Sequence, residues 1–141
     1  MSQKNKQIKK DYYTLIKKSF LIFLMVYIIG IIILACLPGK QLPSDVSSNM
    51  SLCFHFLEYF MLAILLGIWF LVYTDHKPLL STFSICLLLA IVTEVIQIFV
   101  PGRCFGFDDI LANLAGFNIA ITLFFITAEY IICKIYISEV Y

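Results

Sequence analysis

The chain has 141 residues, of which 62% are hydrophobic and 13% are charged. Soluble domains average about 45–50% apolar and about 25% charged residues, so the composition excludes an ordinary soluble protein and indicates that lipid is the main solvent. The length suits one domain. The formal net charge of +1 says little as a total, but the distribution of the charges along the chain is informative.

Four apolar stretches follow one another along the chain. They run from about Ser19 to Leu37, from Leu52 to Thr74, from Leu79 to Val100 and from Ile110 to Cys133. Each approaches the roughly 20 residues that a helix needs to cross a hydrocarbon core about 30 Å thick. A four-stranded barrel cannot close in a membrane, so each stretch must be a helix that satisfies its own backbone hydrogen bonds. The sequence therefore predicts an all-α, polytopic membrane protein with a bundle of four transmembrane helices.

Proline, glycine and charged residues separate these stretches. Pro38 and Pro43 follow the first stretch, a charged run from Thr74 to Pro78 lies between the second and the third, and Pro101-Gly102 ends the third. Proline cannot continue a helix beyond its first turn without losing a hydrogen bond. These positions therefore predict where the helices end.

The lysines are concentrated on one side of the predicted membrane. Six of them precede the first stretch, against a single Asp11: Lys4, Lys6, Lys9, Lys10, Lys17 and Lys18. The positive-inside rule makes this end cytoplasmic. With four crossings, Lys77 and Lys134 are also inside, and only Lys40 and Arg103 lie outside. Eight of the ten basic residues are then inside, which predicts that the N- and C-termini are both cytoplasmic.

The predicted organisation is a basic cytoplasmic segment over residues 1–18, a transmembrane domain over residues 19–133 and a short cytoplasmic tail over residues 134–141. The basic segment is better explained as a topology signal or a contact for anionic lipid than as a nucleic-acid-binding arm. A cleaved signal peptide is the alternative, because Ile33 to Cys36 resembles a lipoprotein cleavage box. The apolar run exceeds a signal h-region and three further spans follow, which favours a retained helix.

The five cysteines form no CxxC pair and no His/Cys ligand spacing, so they predict neither a zinc site nor a redox motif. Cys86 and Cys133 lie in or beside apolar stretches and are expected to be small core residues. Cys53 and Cys104 both fall on the predicted outer side. A disulfide between them stays open, since nothing in the spacing demands it.

Polar residues gather at the predicted outer ends of the last three stretches. Ionisable groups cost at least about 2.5–3.5 kcal/mol each near the centre of a span, so by default they face protein or water and mark function. The polar residues at these outer ends are His55, Glu58 and Tyr59 on the second helix, Glu94 and Gln97 on the third, and Asp108, Asp109 and Asn113 on the fourth, with Arg103 in the preceding loop. At about 1.5 Å per residue, the intramembrane groups fall within roughly two turns of the outer boundary.

The spacing of these residues predicts which of them share a face. His55, Glu58 and Tyr59 lie three and four residues apart, which places them on one side of their helix. The stripe on the fourth helix consists of Asp109, Asn113, Gly116 and Ala120. Its small residues let membrane helices pack closely, so this face is expected to point at the other helices. The carboxylates at its start also suit a helix N-terminus.

Two interpretations of this polar layer stay open. In a structural network the groups only satisfy one another, with Arg103 paired to Glu94 or Asp109. In a functional pocket they bind or transform a ligand, which the density of ionisable groups in so short a chain favours. The candidate catalytic residues are His55, Glu94 and Asp109, and the candidate ligand-binding residues are Arg103, Glu58, Tyr59, Gln97 and Asn113, of which Tyr59 also suits packing.

Four short motifs follow one another along the chain: HFLEY from His55, EVIQ from Glu94, the Pro-Gly-Arg turn ending at Arg103, and FDDILANLAG from Phe107 to Gly116. Together these motifs resemble the VanZ-like family of bacterial integral membrane proteins, the teicoplanin-resistance protein family. The family pattern runs roughly HFxxY, ExxQ, P-G-R and DxxxNxxG. LPGKQLP, from Leu37 to Pro43, is also similar to family members, and the resemblance covers about Cys36 to Ile121. One departure is that Ser51 and Leu52 stand where members often carry an Asp-Lys pair.

The resemblance implies a multi-pass protein of the bacterial plasma membrane that acts in the cell envelope. The family's namesake is associated with low-level resistance to the glycopeptide teicoplanin, so lowered glycopeptide susceptibility is the expected effect. A polar site at the outer leaflet is where such a protein would meet a lipid-linked envelope precursor or an antibiotic that carries an acyl tail. The missing Asp-Lys pair would remove a charge from the site if that pair contributes one.

Three mechanisms compete. In the first, a non-catalytic protein holds an anionic headgroup with the guanidinium fork of Arg103. In the second, an intramembrane enzyme acts on lipid-linked precursors, with Glu94 as general base and His55 as acid, although no GxSxG or HExxH signature supports it. A metal site built on His55, Glu58, Glu94 and Asp109 is the third, and with a single intramembrane histidine no metal or other cofactor is predicted.

Beyond the lipid bilayer, the expected partners are therefore lipid-linked precursors or lipoglycopeptides. Nucleic acid is not expected. A transport path is not favoured either, because the inner halves of the helices are almost wholly apolar. The oligomeric state stays open.

Overall fold

The computed structural model describes residues 3–38, 48–74 and 77–140, and within these ranges every regular element is a helix. The elements are α1 (Gln3–Cys36), α2 (Ser48–Tyr73), α3 (Pro78–Ile98) and α4 (Phe107–Val140). Each is long and apolar enough to cross a membrane. The predicted all-α architecture with four membrane-spanning helices is confirmed. Lys40 and Asp45, most of the LPGKQLP stretch, and His76 in the second break lie outside the described residues.

The helix ends follow the proline and glycine positions, but α1 and α4 extend well beyond the apolar stretches. α1 ends two residues before Pro38, Pro78 occupies the first turn of α3, and Gly102 adopts a φ of 77° in the turn before α4. Proline at a first turn costs nothing, since that N–H has no helical partner. α1 already begins at Gln3, because the lysine-rich segment contains good helix formers and no glycine or proline. Residues 3–18 thus continue the first membrane helix.

The helices α2 and α4 form a central parallel pair. Gly116 of α4 lies against the backbone of Phe56, and further along both helices Gly67 of α2 lies against the ring of Phe124. A Cβ atom at Gly116 would overlap the carbonyl oxygen of Phe56 and approach its carbonyl carbon to 3.0 Å. Contact of this kind is possible only for glycine, so the small-residue stripe on α4 packs as predicted.

The helix α3 runs antiparallel to α2 and packs against both α2 and α4. The hydroxyl groups of Tyr59 and Thr93 are 2.9 Å apart and join the start of α2 to the end of α3 inside the core. Residues of all four helices contribute to that core, including Leu24, Ile31, Tyr59, Leu62, Cys86, Ala90, Phe117 and Ala120. α1 lies at the side of the bundle, where it contacts α2 and α3.

The two ends of the bundle differ in character. At one end, here called the lysine end, the Lys17 ammonium donates to the carbonyl of Tyr73 at 2.9 Å and lies 5.7 Å from the ring centre of Trp69. Aromatic residues beside basic ones are typical of a membrane–water boundary. The opposite end, here called the site end, contains the C-termini of α1 and α3 and the N-termini of α2 and α4. Large apolar side chains are exposed between the two ends on every helix, as lipid contact requires.

Candidate functional site

Three of the sequence-predicted residues meet at the site end, although each belongs to a different helix. The ligand-capable atoms of His55 on α2, Glu94 on α3 and Asp109 on α4 all lie within 4.8 Å of one another. Glu94 is fully buried, whereas the side chains of His55 and Asp109 are 13% and 22% exposed. The three residues are called the HED cluster below. Its members converge because α2 and α4 begin, and α3 ends, at the same end of the bundle.

The HED cluster is only partly satisfied by its own contacts. His55 Nε2 lies 3.8 Å from Asp109 Oδ1, which is the one ion pair between described residues and is too long for a hydrogen bond. Glu94 Oε1 and His55 Nδ1 are buried and have no hydrogen-bond partner among the described residues. A buried polar atom left unpaired costs about 1–3 kcal/mol. The cluster therefore retains hydrogen-bonding or ligating capacity that the protein does not use internally.

Gly106, in the turn before α4, lies close to both carboxylates of the cluster. Its backbone N–H donates to Glu94 Oε2 at 3.3 Å, and its carbonyl accepts the N–H of Ile110 at 3.2 Å. A Cβ atom here would overlap Asp109 Oδ2 and come within 2.9 Å of the carboxyl carbon of Asp109. The sequence does not single out this residue, because Gly106 is an ordinary loop glycine by its position. Only the structure shows that a side chain here would collide with Asp109.

Replacing Gly106 by alanine is expected to move the Asp109 carboxylate away from His55 while leaving the fold intact, because a carboxylate can rotate where a backbone cannot. The ring ¹⁵N chemical shifts of His55 report this contact, and the only other histidine, His76, serves as an internal reference. We expect Gly106→Ala to shift the His55 signals in the same direction as Asp109→Asn, with little change in melting temperature. Unchanged His55 signals in Gly106→Ala would contradict the placement of Gly106.

Asn113 and Tyr59 occupy the layer beneath the cluster. Asn113 is fully buried beside the His55 imidazole, and neither of its amide atoms reaches hydrogen-bond geometry. Tyr59 is 1% exposed, and its hydroxyl contacts Thr93, whose own hydroxyl lies 3.0 Å from the Leu89 carbonyl. Tyr59 thus lies in the core, as the packing interpretation predicts. Its hydrogen-bond partner Thr93 was not predicted, because a single threonine in the middle of a helix carries no sequence signal.

A cavity of about 1140 Å³ opens beside the cluster, between α1, α2 and the end of α3. Its walls are mostly apolar, with residues of α1 on one side and of α2 on the other, among them Phe23, Val26, Gly30, Ile31, Leu34, Phe54, Leu57 and Met61. Its polar side chains are Tyr27, Ser51, His55, Glu58, Thr93, Gln97 and Arg103. The sequence does not predict the cavity, because α1 contributes no charged or amide side chain to its wall.

Arg103 lies in the cavity wall and is not paired with an acid. Its Nε donates to the carbonyl of Leu37 at 3.3 Å, and no carboxylate of the described residues lies within 4.0 Å of its guanidinium. Arg103 is near enough to His55 and Glu94 for its charge to act on both. A network in which Arg103 pairs with Glu94 or Asp109 is therefore not what these residues form.

The remaining candidates fall on either side of this arrangement. Gln97 is 2% exposed and contributes to the cavity wall, as does Glu58, whose Oε1 is buried without a partner among the described residues. The backbone carbonyl of Glu58 accepts the hydroxyl of Tyr27 at 3.0 Å, which ties α1 to α2 beside the cavity. The candidate ligand-binding residues Arg103, Glu58 and Gln97 therefore line the same cavity as His55.

The cysteines divide as follows. Cys86 is buried in the core, as expected, whereas Cys133 is exposed on α4, so the expectation of a core residue is wrong there. Cys53 and Cys104 are free and exposed, so the structure contains no disulfide between them.

The sequence is similar to a known protein family. The family model VanZ/LLP1 matches residues 12–128, a range that includes all three members of the HED cluster and every polar residue of the cavity wall. No curated protein and no solved structure matches the chain significantly. The match covers most of the 141 residues and includes all of α2 and α3 and most of the candidate spans in α1 and α4. The chain therefore belongs to the VanZ/LLP1 family of membrane proteins.

Proposed function

We propose that the protein binds an amphiphilic molecule of the cell envelope, with an apolar tail in the cavity and an anionic headgroup beside Arg103. The observation that carries this proposal is a single cavity whose apolar walls end at a set of polar side chains. Ligand pockets usually measure about 300–1,000 Å³, so a cavity of about 1140 Å³ has room for part of a lipid tail as well as a headgroup.

The chemistry of the polar wall supports an anionic headgroup. A guanidinium presents a planar fork of donors that matches a phosphate or a carboxylate, and it stays charged at any physiological pH. The Nε of Arg103 is held by the Leu37 carbonyl, which orients the guanidinium at the cavity wall. Gln97 adds amide donors, and Glu58 offers an acceptor for a hydroxyl or amine group of the same headgroup.

We further propose that the site end faces the outer leaflet, which the excess of lysine at the other end supports. At that leaflet the protein would meet lipid-linked envelope precursors and acyl-bearing glycopeptides, which share a tail and an anionic group. Holding either ligand would lower glycopeptide susceptibility, the effect associated with the family's namesake. The proposed location is accordingly the bacterial plasma membrane.

The proposed orientation predicts how the natural cysteines react with a membrane-impermeant maleimide in intact cells. Cys104 lies in the turn at the site end and Cys133 near the lysine end of α4, and both are exposed. In variants that keep Cys104 or Cys133 as the single cysteine of the chain, we expect Cys104 to be labelled in intact cells and Cys133 only after permeabilisation. The reverse pattern would place the site end in the cytoplasm and remove the outer-leaflet proposal.

Binding is tested by native mass spectrometry of the detergent-purified protein with an anionic lipid and with a zwitterionic lipid of the same tails. We expect preferential retention of the anionic lipid, loss of that preference in Arg103→Ala and partial recovery in Arg103→Lys, which keeps the charge without the fork. Equal retention of both lipids by the wild-type protein would contradict the proposal.

The antibiotic effect is tested in cells at matched membrane abundance. Arg103→Ala should remove tolerance to an acyl-bearing glycopeptide and leave susceptibility to a glycopeptide without a tail unchanged. If loss of Arg103 leaves tolerance intact while abolishing lipid preference, the ligand site is separate from any role in resistance.

A second function is favoured by one observation, the convergence of the HED cluster beside the cavity. In this alternative, an intramembrane enzyme acts on lipid-linked precursors, with Glu94 as general base and His55 as acid. Arg103 stabilises the negative charge that develops in the transition state. The measurement is product formation by purified protein from lipid-linked precursors, compared between the wild-type protein and Glu94→Gln. Absence of any product that depends on Glu94 would leave binding as the function.

A further inference from the structure

We infer that the HED cluster is a binding site for one divalent cation of the class of Mn²⁺ and Zn²⁺. His55, Glu94 and Asp109 each supply one ligand atom from a different helix, and these atoms lie within 4.8 Å of one another. Two ligands about 2.1 Å from one tetrahedral ion are about 3.4 Å apart. The 3.8 Å between His55 Nε2 and Asp109 Oδ1 is already close to that spacing, and the longer distances in the cluster, which reach at most 4.8 Å, shorten when an ion binds.

The unused polar atoms of the cluster point to the same conclusion. Glu94 is fully buried and its Oε1 has no partner among the described residues. A carboxylate buried in this way is uncompensated unless it is neutralised or binds a cation. The other oxygen of Glu94 is fixed by the Gly106 N–H at 3.3 Å, which leaves Oε1 as the ligand atom. Carboxylates that bind metal are commonly held by a second hydrogen bond of this kind.

A similar support exists for the imidazole. When Nε2 of His55 binds an ion beside Asp109, its Nδ1 must carry the proton and needs an acceptor. Asn113 is fully buried beside His55, and neither atom of its amide group has a partner in hydrogen-bond geometry among the described residues. We expect its carbonyl oxygen to accept the hydrogen bond from Nδ1 when an ion is bound. In this site Asn113 orients the metal-binding imidazole of His55, which gives its buried amide group a function.

The donor set selects the class of ion. A neutral imidazole with two carboxylates balances a charge of +2. This mixture of nitrogen and oxygen donors suits Mn²⁺ or Zn²⁺ better than Ca²⁺ or Mg²⁺, which prefer oxygen ligands alone. Three protein ligands leave a coordination position open for water or for an oxygen of a ligand. The Arg103 charge opposes cation binding, and the two carboxylates outweigh it. This site stands on the cluster alone and does not require the proposed amphiphile.

The test uses the full-length, detergent-purified protein after treatment with a chelator. Mn²⁺ is the probe, because four cysteines are exposed and their thiolates would bind Zn²⁺ elsewhere. We expect one Mn²⁺ per chain by electron paramagnetic resonance. Asp109→Asn and Glu94→Gln should each weaken binding by about 10- to 100-fold or more. Asp108→Asn, which alters an exposed carboxylate in the same helical turn, should bind Mn²⁺ as the wild-type protein does.

A second measurement on the wild-type protein removes any dependence on whether the variants fold. Electron spin-echo spectroscopy detects the coupling between bound Mn²⁺ and a ligating imidazole nitrogen, and we expect that coupling in the unmodified chain. Its disappearance in His55→Gln, at unchanged membrane abundance, assigns the nitrogen. Absence of stoichiometric Mn²⁺, bound Mn²⁺ without nitrogen coupling, or equal losses in Asp108→Asn and Asp109→Asn would each overturn the site.

Discussion

Replacing Gly116 by valine is expected to destabilise the helix bundle by about 3 kcal/mol or more, the upper range for an overpacked core position. A Cβ atom at this position overlaps the backbone carbonyl of Phe56. Backbone atoms of a packed helix cannot rotate away as a side chain can, so α2 and α4 must separate. Separation of α2 and α4 would also move His55 away from Asp109, because these two residues lie in the N-terminal parts of the two helices, at the site end.

The matched control is Gly30→Val on α1. No heavy atom lies within 4 Å of a Cβ built at Gly30, and the intrinsic change in helix propensity is the same in both variants. Melting temperature and resistance to denaturation in detergent measure the difference. We expect Gly30→Val to stay close to the wild-type protein and Gly116→Val to fall far below it. Similar losses in the two variants would mean that the close approach of α2 and α4 is not what holds the bundle.

Gly30→Phe is expected to weaken amphiphile binding by at least about tenfold, which corresponds to about 1.4 kcal/mol, without loss of stability. Gly30 lies in the cavity wall and faces open space, so an aromatic side chain can enter the cavity without displacing its neighbours. The tail then meets a filled volume. Transfer of a tail from lipid gains no hydrophobic energy in a membrane, so a steric block is not offset by other contacts.

Ile29→Phe provides the comparison for this variant. Ile29 is the neighbouring residue on α1, half exposed on the surface and not part of the cavity wall. It should leave both lipid retention and melting temperature at wild-type values. Retention of the anionic lipid by Gly30→Phe at the wild-type level would show that the cavity is not where the tail lies, whatever the role of Arg103.

The sequence predicted those parts of the fold and site that depend on composition and period. The length and hydropathy of the apolar stretches predicted the four spans. Because successive spans cross the membrane in opposite directions, the start of α2, the end of α3 and the start of α4 were expected at the same side. The spacing of Asp109, Asn113 and Gly116 predicted a buried face on α4, and burial of Asn113 and Gly116 confirms it. Each of these inferences needs only the helical repeat and the number of crossings.

What escaped prediction depends on how the helices are positioned against one another. The cavity arises because α1 packs at the side of the bundle and leaves a gap at Gly30, and nothing in the α1 sequence marks that gap. The role of Gly106 depends on the collision of one absent Cβ atom with Asp109. Charge alone allows Arg103 to pair with an acid, and only the three-dimensional arrangement separates the guanidinium from the carboxylates.

The most direct test of the proposed function is to map where a photoactivatable lipid with an anionic headgroup attaches to the protein in nanodiscs. The account predicts cross-links at buried or half-buried cavity residues on both walls, such as Tyr27, Ile31 and Glu58, and their loss in Arg103→Ala. Cross-links restricted to lipid-facing residues, in equal amounts in both proteins, would contradict it.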